Sequence, residues 1–123
     1  MKRASVLSWI GLFVAPAAWF AQHAIGQAEA QARCSAANAT WGLSNTAWQV
    51  GLLVGSSILI LASEAAAVLA FLGTRTDDHY ETAPPLGRIQ LVSIASMTTN
   101  LIFLVIVLLD GIASIVDIVC RQS

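Results

Sequence analysis

The chain has 123 residues, of which 57% are hydrophobic and 11% charged, with a formal net charge of −1. So little charge excludes a soluble domain of this length, which carries roughly 25% charged residues and cannot bury that much apolar surface. The lack of basic excess excludes a nucleic-acid-binding module, and the composition points to one compact unit in a lipid bilayer.

Three apolar stretches are each long enough for a helix to cross the ~30 Å hydrocarbon layer. They are continuous rather than alternating, which excludes spanning strands. The first covers residues 6–28 and follows Lys2 and Arg3. Gly11, Ala15, Ala18 and Gln22 form a small-residue stripe along it, and Pro16 predicts a kink. Trp19 and His23 lie one turn apart on an adjacent face. His23 is read as an interfacial or hydrogen-bonded histidine, with a haem or quinone role as the alternative. Bis-histidine haem ligation within one chain is excluded, because His79 belongs to the opposite loop. Lys2-Arg3, an apolar run and Ala28-Glu29-Ala30 also have the outline of a signal peptide with its cleavage site. Gln22 and His23 are unusual in such a run, so the membrane-spanning reading is preferred.

Residues 29–48 form an outer loop. Glu29 and Arg33 have i,i+4 spacing, which predicts that the first helix continues past the membrane. The loop holds Cys34 and one glycosylation sequon, Asn38-Ala39-Thr40. The second span covers residues 49–72. Glu64 lies past its midpoint, on the same face as Ser57. Gly51, Gly55, Ala62 and Ala66 form a ridge on the opposite face, and small residues four apart let helices approach closely. This ridge is the expected helix-packing surface.

Residues 73–88 form an inner loop. Asp77, Asp78, His79 and Glu81 read there as solvated side chains rather than metal ligands, and Pro84-Pro85 marks the approach to the third helix. The third span covers residues 89–109, with Ser93, Ser96 and Asn100 on one face. Polar groups in a span need partners, so Asn100 and Glu64 are expected to satisfy each other or backbone carbonyls. Asp110-Gly111 is expected to end the helix, leaving residues 110–123 as an interfacial tail. A helix from 89 to 120 would be ~48 Å long, more than the bilayer requires.

Lys2, Arg3, Arg75 and Arg88 fall on one side of three crossings, Arg33 and Arg121 on the other. The positive-inside rule then sets the N-terminus in the cytoplasm and the C-terminus outside. Trp9, Trp41 and Trp48 sit near span ends, where amphipathic rings prefer to lie. Cys34 and Cys120 share the outer side and are expected to pair in an oxidising compartment; unpaired thiols are the alternative in a reducing one. No CxxC or His/Cys cluster suggests a metal site.

The segment Pro16-Ala-Ala-Trp19-Phe-Ala-Gln22-His23, the cysteine soon after it, and Asp110-Gly111-Ile112 leading to Cys120 resemble small three-helix membrane proteins encoded beside bacterial haem-copper cytochrome c oxidases. The resemblance covers the two ends of the chain; the middle span matches by hydrophobicity alone. A proline near Ala113 or before the final cysteine is missing here.

The expected fold is all-α, an integral membrane protein with three transmembrane helices, N-in and C-out, ending in a short interfacial segment. The resemblance implies a non-catalytic accessory subunit of a membrane respiratory complex, a terminal cytochrome c oxidase or its supercomplex, aiding assembly or stability. It implies location in the bacterial inner membrane, other transmembrane subunits and lipids as partners, and no cofactor. A photosynthetic-complex subunit is a variant of that reading. The alternative is a small oligomeric transporter or proton-conducting module centred on Glu64. An enzyme or redox protein using Cys34 and Cys120 ranks last, for want of a CxxC motif, a nucleophile–base pair or a phosphate loop.

Overall fold

The computed structural model describes residues 2–35, 41–75, 84–116 and 120. The sequon at 38–40, the acidic group Asp77, Asp78, His79 and Glu81, and the rest of the C-terminal tail lie outside the described residues. Three helices make up the fold: α1 (Lys2–Cys34), α2 (Asn45–Arg75) and α3 (Pro84–Val116). At 1.5 Å per residue each is about 45–50 Å long, and all three are long and apolar enough to cross a membrane.

Local chemistry sets several boundaries. The Ser44 hydroxyl caps α2 by accepting from the Ala47 amide at 3.2 Å. Gly42, two residues earlier, adopts φ +81°, a left-handed conformation that glycine takes at little cost. Arg33 in the last turn of α1 bonds Glu29 and the Leu43 carbonyl, tying the helix end to the chain entering α2. α1 is continuous across Pro16.

The third helix differs from the sequence reading. It does not end at Asp110-Gly111 but runs on to Val116. Tertiary contacts account for this. Asp110 reaches His23 of α1, and Gly111 sits against Leu53 of α2, whose Cδ1 would lie 2.5 Å from a β-carbon placed there. A polar residue and a glycine that read as a helix stop serve instead as contact points inside a longer helix.

Each helix packs against both others. α1 and α2 run antiparallel: Gly26 meets Gln49, Ala18 meets Ser56, and Gly11 meets Ser63 and Ala67. α2 and α3 are also antiparallel, through Leu53 with Gly111 and Glu64 with Asn100. α1 and α3 run parallel, through Ser8 with Ser96 and Gln22 with Val107. The seams repeat every seven residues: Ser8, Ala15, Gln22 and Glu29 on α1; Gln49, Ser56, Ser63 and Ala70 on α2; Ser93, Asn100 and Val107 on α3. A seven-residue repeat is the signature of helices in left-handed knobs-into-holes packing.

The interior is unusual in its chemistry. Among the described residues, ten buried side chains are polar and eight hydrophobic, five of the latter alanines. Meanwhile Phe13, Phe20, Ile58, Leu69, Leu91, Leu101 and Leu109 project outward. In water this arrangement would be unstable. In lipid it is natural, because the tails supply no hydrophobic drive between helices; close contact between small residues and interhelical hydrogen bonds bind them instead.

The packing ridge expected on α2 faces elsewhere. Gly51, Gly55 and Ala62 are exposed, and a β-carbon added at Gly51 or Gly55 would meet nothing within 4 Å. Only Ala66 of that group is buried. Gly11 instead packs closely on Ala67, where a β-carbon at position 11 would lie 3.0 Å from the Ala67 side chain and 3.3 Å from its backbone.

Candidate functional site: the polar seam of the bundle

Polar side chains follow the bundle from one end to the other. Near the α1 N-terminus, the Ser96 hydroxyl lies 3.4 Å from the Ser8 carbonyl and 2.7 Å from the Val92 carbonyl. It has one proton, and the shorter contact within its own helix claims it. Ser93 bonds Ile89 in the same way at 2.7 Å. Hydroxyls bonded within their own helix cost little when buried.

The centre is more elaborate. The Ser63 hydroxyl donates to the Gly11 carbonyl at 2.9 Å and lies 3.4 Å from Asn100 Oδ1. Asn100, which is 1% exposed, donates through Nδ2 to Glu64 Oε2 at 3.1 Å. The three helices thus meet at one level through Gly11, Ser63, Glu64 and Asn100. Glu64 is only partly buried and lies at the edge between α2 and α3. The pairing of Asn100 with Glu64 weighed from sequence is present. Replacing Asn100 with leucine is expected to destabilise the bundle by roughly 0.6 kcal/mol, the average for hydrogen bonds between membrane helices, and by no more than about 1.7 kcal/mol. Equilibrium unfolding in mixed detergent micelles measures this; an unchanged midpoint would mean the bond is energetically silent.

Toward the other end, Ser56 faces the Ala18 carbonyl at 3.5 Å and Gln49 the Gly26 carbonyl at 3.5 Å, both long contacts. Gln22 Nε2 lies 3.4 Å from the Val107 carbonyl. Glu29, 1% exposed, holds Arg33 through Oε1. Near the level of Gln22, His23 Nδ1 lies 3.3 Å from Asp110 Oδ2. Unlike the buried groups of the seam, and more like Glu64, this pair is only partly covered, with 48% and 31% of the two side chains exposed. The His23 ring stacks on Trp19 at 5.8 Å between centroids and 22° between planes, and Trp19 in turn meets Phe103 at 5.9 Å. Beyond this level Cys34 and Cys120 form a disulfide, their Cα atoms 5.2 Å apart.

Compared with known proteins, the chain matches no family model, no curated protein and no solved structure.

Of the residues singled out from sequence, Gln22, Glu64 and Asn100 lie at helix interfaces, and His23 sits at the outer edge of the α1–α3 seam. The Glu29–Arg33 pair read from its i,i+4 spacing is present, whereas Ser63, Gln49 and Asp110 are contact residues that the sequence reading does not single out. The available signal for α2 was the seven-residue spacing of Gln49, Ser56 and Ser63, polar groups that must turn inward in a lipid-facing helix.

Proposed function

We propose that this chain is a non-catalytic accessory subunit of a respiratory complex in a bacterial inner membrane, a terminal cytochrome c oxidase or its supercomplex. Its N-terminus lies in the cytoplasm and its C-terminus outside, and its partners are other transmembrane subunits and lipid. The supporting observation is the division of faces on α2. One face is occupied in holding the chain's own bundle together through Gln49, Ser56, Ser63 and Ala67. Another leaves Gly51, Gly55 and Ala62 open to the surroundings, a spacing suited to close contact with a further helix. The respiratory assignment rests on the resemblance of the Pro16–His23 segment and the cysteine-bearing ends. The disulfide supports the orientation, because such bonds persist on the oxidising side of a membrane, opposite Lys2, Arg3, Arg75 and Arg88.

Mild-detergent purification of the oxidase through its catalytic subunit is expected to bring this chain down in stoichiometric amount. Its absence from the purified complex would sink the assignment. Gly55→Leu is expected to abolish that association while leaving the chain's own unfolding midpoint unchanged, since among the described residues a β-carbon at position 55 would meet nothing within 4 Å.

A second reading is a proton-conducting oligomer. It is favoured by the partial exposure of Glu64, an ionisable group in the middle of a span. Flux through liposomes containing the purified chain, lost in Glu64→Gln, would support it; no flux in the unmodified protein would remove it.

A further inference from the structure

The outward-facing pair His23–Asp110 has a geometry that bundle cohesion does not explain. Most of the other interhelical polar side chains are buried, Glu64 being partly exposed, whereas these two are 48% and 31% exposed. Depth makes that exposure consequential. Gly26 lies level with Gln49, next to Trp48, a ring expected at the membrane interface. His23 is three residues nearer the bilayer centre, about 5 Å deeper. With the interface set at Trp48, the pair lies on the hydrocarbon side of it, where a polar side chain without a use is costly.

The hydrogen bond defines what this site can recognise. Nδ1 faces the Asp110 carboxylate at 3.3 Å, so Nδ1 carries the proton as donor. A neutral ring then offers Nε2 as an acceptor, oriented by the carboxylate behind it. Nε2 has no partner among the described residues. A ligand for it must donate a hydrogen bond and must reach it from lipid. The surroundings narrow the class further. Trp19 stacks on the imidazole and Phe103 packs on Trp19, so His23 sits in an aromatic seam between α1 and α3, surroundings that favour a flat ring. The Asp110 carboxylate disfavours an anionic headgroup.

We propose that the α1–α3 seam at Trp19, His23, Phe103 and Asp110 binds a membrane-dissolved aromatic alcohol, of which a quinol is the representative type, by accepting its ring hydroxyl at His23 Nε2. The proposal concerns binding and includes no electron transfer. It is independent of the assignment to a respiratory complex.

The test uses the full-length protein in lipid nanodiscs with 15N-labelled histidine. A short-tailed quinol is titrated in, then the corresponding quinone, then an aliphatic alcohol with the same tail. The His23 Nε2 resonance is expected to move saturably with the quinol alone, because only it combines a flat ring with a hydroxyl donor. A shift of equal size with the aliphatic alcohol would replace the aromatic class with hydroxyl lipids in general and overturn the proposal. A shift that never saturates would show partition into lipid and overturn it too. Fluorescence of a variant keeping Trp19 as its single tryptophan gives a second readout, with His23→Gln expected to weaken quinol binding by at least about tenfold. Unchanged affinity in that variant would count against the site. The resonance measurement needs no substitution, so a folding defect in the variant leaves the test intact.

Discussion

Gly11→Leu is expected to separate α1 from α2 and to destabilise the bundle more than any other single change at a glycine. A β-carbon at position 11 would lie 3.0 Å from the Ala67 side chain and 3.3 Å from its Cα and nitrogen. The opposing atoms are largely backbone, which cannot swing aside, and the same helix level carries the Ser63 bond to the Gly11 carbonyl. Overpacking of this kind costs about 1–3 kcal/mol, and loss of the Ser63 and Asn100 contacts adds to it. Gly11→Ala should fall between the two, and Ala67→Gly should partly rescue it by giving back the space. Unfolding of the four variants in detergent forms a double-mutant cycle, which isolates the coupling between positions 11 and 67. An additive cycle would mean the two helices do not meet where the structure has them. Gly111→Ala is a useful contrast: its nearest neighbour is the flexible end of Leu53, at 2.5 Å from the added carbon, which can rotate away at smaller cost.

Removal of the disulfide is the second large effect. Cys34 ends α1, and Cys120 lies beyond α3, 86 residues further along the chain. Closing a loop of that length restricts the unfolded chain, for a typical gain of about 2–4 kcal/mol. In lipid the gain should lie toward the lower figure, because helices that have come apart remain in the membrane and are already confined. Cys34→Ser and Cys120→Ser should each lower the unfolding midpoint by the same amount, and reductant should reproduce that loss in the unmodified protein. Thiol labelling of protein taken directly from membranes checks the premise. Two alkylated cysteines before reduction would show that the bond is absent where the protein resides, and the orientation proposed from it would lose its support.

The fold class was legible from composition, because only a membrane accommodates three long apolar segments with so few charges. The small-residue stripe of α1 was legible too: Gly11, Ala15, Ala18 and Gln22 all lie at the buried seam. The packing face of α2 was not. That helix carries two sets of small residues on different sides, and hydropathy cannot choose between them, since lipid and bundle interior are both apolar. The polar residues decide the matter, because Gln49, Ser56 and Ser63 can find partners only by turning inward. The end of α3 was misread for a related reason. Asp110-Gly111 has the local chemistry of a helix stop, and its role became visible only with His23 and Leu53 beside it.

By itself, then, the sequence determined that three helices are long and apolar enough to cross a bilayer, how long the apolar stretches are, and which few polar residues must find partners there. These follow from the transfer of single side chains between water and lipid, a property each residue carries with it. The tertiary structure decided which partners they find: Asn100 with Glu64, Ser63 with Gly11, His23 with Asp110, and Gly11 rather than Gly51 or Gly55 at a close helix contact. Those choices depend on the rotation and register of one helix against another, set by shape and hydrogen-bond geometry across the seam.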